Sequence, residues 1–586
     1  MRDPELSVVA DGLVGKFHAL GVLDWADLHP VRHWSLLYGE SDQRVQLALA
    51  LAVRALRAGS VCLELDRVRS TVTGRDDELV EVPDELWPAQ ADWRAALQAS
   101  PLVARDPDGD LRRPARLVGE RLYLTRYWEQ EERVRIALIE RTLATPTSPG
   151  PGNQSLDVVL DELFGAQADP DQRRAAAHLA GSGVTVLAGG PGTGKTTTIA
   201  RMLALLFRQG VRRIALAAPT GKAAARMDEA LREAAEHLPA DVAAWITTLS
   251  ASTVHRLIGW TPRRRATPRF NAANPLPHDA VIVDELSMVS LTQMAQLVDA
   301  LGPATRLVLV GDPDQLSSVS AGAVLADLTR AGWQGTGGAS PVVRLNRNYR
   351  FAGVLGQLAT AVRDGDADAV LDLVAAGDPH LTLTDPAQPQ DALRARVVHT
   401  GRAIHSAAVA GDAASALDLL ERHRLLCAHR HGPFGATTWA RQVEYWLRAS
   451  VAGFGAEGEW YAGRALLVTS NQSDWGLWNG DTGVVLLDSG RPVVHFAGRV
   501  DKALSPDLLG PTQSVDALTV HKSQGSQFAE VTLVVPPVSS PLLTRELLYT
   551  AVTRARDAVH LIGTPDSLAA AVERTARRAS GLRERL

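Results

Sequence analysis

The strongest constraint on the fold of this 586-residue chain is an apolar run, Val184, Thr185, Val186, Leu187 and Ala188, that leads into GGPGTGKT at residues 189–196. A strand, a glycine-rich turn and then a helical pattern over residues 197–207 match the phosphate-loop pattern G-x-x-x-x-G-K-[ST] in its proper context. The glycines of the loop (Gly189, Gly190, Gly192 and Gly194, with Pro191 and Thr193 among the candidate nucleotide contacts) let consecutive backbone N–H groups curl around phosphate oxygens, and the helix N-terminus adds partial positive charge. Lys195 is placed to reach the β- and γ-phosphates and the Thr196 hydroxyl to hold Mg²⁺, with Thr197 completing the candidate nucleotide contacts. The expected ligand is a nucleoside triphosphate.

Composition limits what surrounds this loop. With 46% hydrophobic and 22% charged residues the chain reads as globular, and its length suggests about three or four domains. A formal net charge of −5 means that any nucleic acid must be met by a local groove, because the mean field repels it. Cys62 and Cys427 form neither a metal-ligand set nor a disulfide framework and read as buried thiols in a reducing compartment. The first residues, MRDPELSVVADG, lack the layout of a signal peptide, and no uninterrupted apolar stretch reaches about 18 residues. The expectation is a cytoplasmic protein without a membrane partner.

Residues 1–144 are rich in helical periodicity, for example over 44–53, and are expected to form a helical N-terminal domain. The Pro/Gly/Ser-rich segment 145–155 reads as a linker. From 156 to 345 strands alternate with helices, at 184–188, 214–218, 281–283 and 307–310, which is the pattern of a parallel sheet with crossover helices. A second α/β region, 346–586, ends with strands at 531–535 and 559–563. Within it, residues of about 464–512 read as a small β-rich insertion with turns at Asn479-Gly480 and Ser489-Gly490.

Hydrolysis of a triphosphate needs a carboxylate for Mg²⁺ and a group that orients or deprotonates water. Asp284 and Glu285 follow the apolar strand 281–283, and ligand sites of parallel sheets lie at that end. Asp284 is therefore the candidate metal ligand, together with Thr196, and Glu285 the candidate base. Gln315 follows the strand 307–310 and can bond the γ-phosphate or the attacking water. Transition-state charge calls for further cations, but in an arginine-rich chain spacing alone does not single out Arg350 or Arg554.

Eight segments occur in the order found in superfamily 1 helicases: GGPGTGKT, APTGKAAARM (218–227), STVHRLIG (252–259), VDELSMV (283–289), GDPDQL (311–316), NYRF (348–351), LTVHKSQGSQF (518–528) and LYTAVTRAR (548–556). They closely resemble the RecD group. RAGSVCLEL (57–65), RLYLTRYW (121–128) and HRLLCAHRHGPFG (423–435) are similar as well, so the resemblance covers nearly the whole chain. It implies an α/β fold of two RecA-like parallel-sheet motor domains, with a helical N-terminal partner-docking domain and a small β-rich insertion. It further implies an ATP-dependent 5′–3′ DNA helicase, a subunit of exonuclease V acting with RecB and RecC in double-strand break processing and recombinational repair. A stand-alone RecD-like helicase is the other reading, and no nuclease motif is recognised.

The resemblance also implies residue roles. Gln172 matches the glutamine that reads the adenine edge, and Arg350 and Arg554 match fingers reaching from the second domain. Thr220, Thr253, His255, Thr519 and His521 fall in motifs that hold single-stranded DNA drawn from a duplex end. Residues 261–279 lie where the family carries a small β-hairpin at the DNA fork. Arg263, Arg264 and Arg265 are either phosphate contacts or part of a solvated basic loop. Two residues depart from the pattern: Leu286 stands where Ala is common, and Gln527 replaces a Glu, which puts an ionic role there in doubt.

Overall fold

The computed structural model describes residues 12–74, 80–105, 110–144, 155–165, 169–261, 267–334, 338–349, 353–388, 390–456, 458–472 and 474–586. Arg350, residues 145–154 of the expected linker, and Arg263, Arg264 and Arg265 lie outside the described residues. The described residues form four sheets.

The N-terminal region carries the expected helices, chiefly Trp25–Tyr38, Gln43–Arg57 and Thr125–Leu143. It also holds a sheet that helical periodicity did not disclose: β1 (Cys62–Glu64), β2 (Val103–Ala104), β3 (Ala115–Val118) and β4 (Arg121–Leu124), in the order β1-β4-β3-β2. These strands have two to four residues, too short for a period of two to show.

The second sheet is wholly parallel: β5 (Val184–Gly189), β6 (Ile214–Ala218), β7 (Ala251–Thr253), β8 (Ala280–Val283), β9 (Arg306–Gly311) and β10 (Val342–Leu345), ordered β10-β5-β9-β8-β6-β7. Its strands read as unbroken apolar runs because both faces are covered. Val186, Val281, Val283, Leu307 and Leu309 face one core, and Leu187, Ala280, Ile282, Val308 and Val310 the other. Helix Thr125–Leu143 contributes Val134 and Leu138 to the first of these cores, so the N-terminal region is packed directly onto this sheet.

Two further sheets complete the chain. The last parallel sheet is interrupted in sequence: β11 (Leu381–Thr384) and β12 (His423–Cys427) precede an antiparallel unit of β13 (Ala465–Val468), β14 (Thr482–Asp488), β15 (Arg491–Phe496), β16 (Arg499–Leu504) and β17 (Thr512–Ser514). The chain then returns through β18 (Ala517–Thr519), β19 (Phe528–Val534) and β20 (Ala555–Ile562), giving the parallel order β11-β20-β19-β12-β18. The insertion expected near 464–512 is thus a five-stranded sheet, and Ser489 and Gly490, both at positive φ, make its two-residue hairpin turn. One face of the insertion closes over Leu466, Val468, Val485 and Phe496, while Leu467, Val484 and Leu486 join the core of the neighbouring parallel sheet. Among the described residues no helix is long and apolar enough to cross a membrane.

The C-terminal residues 574–586 run from the last parallel sheet back across the first. The Val61 amide donates to the Ala579 carbonyl at 2.7 Å, Ser580 Oγ donates to Glu131 Oε2 at 2.9 Å, and Arg585 pairs with both Glu131 and Glu132 while stacking on Trp128. The Glu131 side chain is fully buried, so removing its guanidinium partner leaves a buried charge short of compensation. We expect Arg585→Ala to weaken local attachment of this segment by about 3 kcal/mol, read as faster amide hydrogen exchange over residues 576–586; unchanged protection there contradicts the assignment.

Candidate nucleotide cleft between two parallel sheets

The phosphate loop sits where the sequence places it, between β5 and helix Lys195–Arg208. Gly192 and Gly194 adopt φ of 80° and 81°, which side chains other than glycine rarely reach. A Cβ on Gly189 would lie 2.6 Å from Thr193 Oγ1, and one on Gly190 would lie 2.7 Å from the Tyr549 hydroxyl. Thr193 Oγ1 donates to the Gly190 carbonyl at 2.8 Å, and Lys195 Nζ donates to the carbonyls of Gly189 and Gly190 at 2.7 and 2.9 Å.

A cleft of about 780 Å³ opens beside the loop. Its walls include Pro191, Gly192, Gly194, Lys195, Thr196 and Thr197 from the loop and Asp284, Glu285 and Gln315 from the ends of β8 and β9. The opposite wall brings Gln527, Arg554 and Arg556 from the second parallel sheet. Gly189, Gly190 and Thr193 instead face a separate cavity of about 310 Å³ on the far side of the loop, lined also by Asp314, Arg344 and Tyr549.

Asp284 follows β8, its amide bonded to the Ala217 carbonyl on β6 at 2.9 Å. Burial, then the adjacent Glu285 carboxylate, raises the Asp284 pKa, and Lys195 opposes them. Two neighbouring carboxylates held in this way suit a cation, and Thr196 faces the same cleft, so the donor set fits Mg²⁺. Glu285 stands at φ 53°, ψ 42°, a left-handed conformation that costs a non-glycine residue about 1 kcal/mol or more. Its amide donates to Asp284 Oδ1 at 2.8 Å, which fixes the turn that aims its side chain into the cleft.

Gln315 is bonded at both ends of its amide. Nε2 donates to Asp312 Oδ2 and Oε1 accepts from Arg554 Nη2, each at 2.8 Å. Arg554 also donates to the carbonyls of Thr550 and Ser526, and it is 4% exposed. Thr550 Oγ1 accepts from the Leu316 amide, and Gln524 Nε2 donates to the Leu316 carbonyl at 2.7 Å. The loop after β9 is thereby tied by three hydrogen bonds to residues flanking β18, β19 and β20 of the second parallel sheet. Asp312 and Tyr549 belong to this site although sequence reasoning gave them no role: burial lifts the Asp312 carboxyl to about 6 against the pull of Lys195, and the Tyr549 hydroxyl bonds to it. Both lie inside quoted motifs, and the strand-end position of Asp312 was the available signal.

Gln172 is brought to the loop but does not line the cleft. It is 4% exposed, its Oε1 accepts from Arg201 at 2.8 Å, and its Nε2 lies 2.5 Å from where a Gly194 Cβ would be. Tyr349, next to Arg350, crosses the loop: its amide donates to the Gly192 carbonyl and its hydroxyl to Asp169 Oδ2. Leu286 is fully buried, and Gln527 lines the cleft as a neutral group.

Of the five candidate DNA contacts, the three threonines lie at or just beyond strand ends and the two histidines in short helices that follow. Thr253 ends β7 and Thr519 ends β18, each strand being the edge of its own parallel sheet. Each begins the same tripeptide, Thr-Val-His, which carries His255 and His521 into a short helix. Thr220 follows β6, whose Ala218 is in register with Thr253, and its Oγ1 caps the next helix by accepting from the Ala223 amide. Burial lowers the pKa of both histidines, His521 to about 4, so both rings are neutral at pH 7. Of residues 267–279 the structure shows a tight turn closed by an Asn271–Asn274 bridge.

Residues 19–123 match the family model for the N-terminal domain of RecBCD enzyme subunit RecD, residues 172–321 an AAA domain, and residues 514–562 a UvrD-like helicase C-terminal domain. RecBCD enzyme subunit RecD of Mycobacterium tuberculosis is 48% identical over 100% of this chain and 99% of its own length. The Mycolicibacterium smegmatis subunit is 47% identical over 96% and 98%. ATP-dependent RecD2 DNA helicase of Deinococcus radiodurans is 34% identical over 78% of this chain and 57% of its own. Among solved structures, Bacteroides Pif1 bound to single-stranded DNA is 16% identical over 68% of this chain and 93% of that one, with a TM-score of 0.39. Identity near one residue in two, sustained from end to end, shows that the chain belongs to the RecD family of RecBCD enzyme subunits.

Proposed function

We propose that this chain is an ATP-driven 5′–3′ DNA helicase working as the RecD subunit beside RecB and RecC, in the processing of double-strand breaks. The observation that carries the reading is the line Asp312–Gln315–Arg554, which joins the two parallel sheets at the floor of a cleft holding Lys195, Asp284 and Glu285. Residues 156–345 and 346–586 are the two motor domains, and 1–144 is the surface that docks on a partner subunit.

ATP lies along the phosphate loop, with Lys195 turning from its two loop carbonyls to the β- and γ-phosphates. Thr196 and Asp284 would hold Mg²⁺, which when bound would supply positive charge against the phosphate oxygens. Glu285 takes the proton of the attacking water, and Gln315 registers whether a γ-phosphate is present. Because Gln315 shares its amide with Arg554, any shift of that amide reaches the second parallel sheet, and the two edge strands ending in Thr253 and Thr519 move relative to one another. Those threonines, with Thr220 and the neutral His255 and His521, hold the strand through phosphate contacts that need little net charge. Arg350 is the second finger of this reading, and Gln172 meets the adenine edge after exchanging its bond to Arg201.

Co-purification tests the assignment to the complex: antibody capture of the native chain retrieves RecB and RecC together. Capture of an active helicase free of both favours a stand-alone motor.

A further inference from the structure

The loop that follows β9 is held at both of its ends. At Gln315 and Leu316 it is bonded to Arg554, Thr550 and Gln524. Further along it meets Arg578, a partly buried residue that does not line the nucleotide cleft. Arg578 Nη1 donates to the Ser318 carbonyl and, at 3.2 Å, to the Ser320 carbonyl. Ser318 Oγ donates to that same Ser320 carbonyl at 2.8 Å, which keeps the two acceptors side by side. The Gly322 amide then donates to the Gly59 carbonyl at 3.0 Å, so the loop ends against the N-terminal region.

Arg578 touches that region as well. Gly59 stands at φ 90°, and a Cβ there would lie 2.8 Å from Arg578 Cζ, so the guanidinium rests where a side chain would collide with it. Ala579 donates its amide to Ser60 Oγ at 3.2 Å, and its carbonyl accepts from the Val61 amide at 2.7 Å. On the other side of Arg578, the Ala576 amide donates to Glu546 Oε2 and the Arg574 carbonyl accepts from the Arg545 amide, each at 2.7 Å. Both partners open helix Arg545–Val552, which ends just before Arg554. Burial lowers the Arg578 pKa and Glu546 opposes it, while the charge of Arg578 adds to burial in lowering that of His521. One guanidinium therefore sits where the loop after β9, the N-terminal region and the second parallel sheet's helix meet.

Two carbonyls bonded to one cation move together with it, because charge-assisted bonds are short and the guanidinium plane is rigid. A shift of Gln315 on binding or loss of a γ-phosphate displaces the loop to which it belongs, and the far end of that loop carries the Gly322–Gly59 bond. We propose that Arg578 is the positioning residue that passes occupancy of the nucleotide cleft, through the loop 312–322, to residues 59–61 of the N-terminal region. The proposal rests on the nucleotide reading above and adds to it a path from the cleft to the region read as docking on a partner. Without the guanidinium the loop keeps its bonds to Arg554, Thr550 and Gln524, but its far end moves independently of them.

The test is amide hydrogen exchange of the full chain with and without a saturating non-hydrolysable fluorescent ATP analogue, whose affinity is titrated in parallel. In the unsubstituted chain the analogue slows exchange over residues 57–65 and 318–324 by about fivefold, the lower end of usual coupling between sites. Arg578→Ala speeds exchange over 57–65 by about tenfold, the scale of one charge-assisted bond, and abolishes the effect of the analogue there. Its affinity for the analogue stays within about threefold, since the cleft itself is untouched. Arg578→Lys keeps the charge and the stem but not the planar fork, so it decides the matter even if the alanine variant does not fold: about half of the analogue's effect remains. Exchange that is equally faster with and without the analogue, its slowing intact, marks Arg578 as a mere strut and overturns the proposal. So does an analogue that binds the unsubstituted chain and leaves residues 57–65 unmoved. Failure of the analogue to bind the unsubstituted chain at all overturns the nucleotide reading, and the coupling falls with it.

Discussion

Lys195→Gln is expected to lower DNA-stimulated ATP turnover by about a thousandfold, the scale of losing a preorganised cationic donor to a transferring phosphoryl group. The ammonium is held at the base of the loop by two backbone carbonyls, and a glutamine amide can still donate to one of them. The loop conformation rests instead on Gly192 and Gly194 at positive φ and on the Thr193–Gly190 bond, which the substitution leaves alone. Circular dichroism and thermal melting should therefore match the unsubstituted chain while turnover collapses. Turnover within about tenfold of the original would remove Lys195 from the chemistry.

Glu285→Gln separates binding from cleavage. The carboxylate is the candidate acceptor of the water proton, a role that general-base catalysis values at about 10²–10⁴-fold. Its amide counterpart has the same length and can keep the left-handed turn set by the bond from the residue 285 amide to Asp284 Oδ1. A single-turnover quench experiment should find cleavage slowed by about 10³-fold, with ATP affinity unchanged or higher because one negative charge has left the cleft. Equal loss of affinity and rate would mean that Glu285 holds the metal ion or the loop and does not act on water.

Much of this site was legible in the chain because its parts follow apolar strands. The runs at 184–188, 281–283 and 307–310 became β5, β8 and β9, and each delivers its motif at its C-terminal end. What the sequence did not disclose is pairwise. Nothing in the spacing of Gln315 and Arg554, 239 residues apart, says that they share a hydrogen bond. The sheet of the N-terminal region was hidden by its short strands, and the path of residues 574–586 by contacts as distant in sequence as Ala579 with Ser60. Gln172 was recognisable by resemblance, while its burial beneath Gly194 depends on how two helices meet.

The central claim is that ATP hydrolysis at this split cleft moves the chain along one DNA strand in one direction. Unwinding of two otherwise identical duplexes, one with a 5′ single-stranded tail and one with a 3′ tail, tests it most directly. The account predicts ATP-dependent displacement from the 5′-tailed duplex alone, abolished by Lys195→Gln. Displacement from the 3′-tailed duplex at an equal or greater rate, or displacement that survives the substitution, would contradict it.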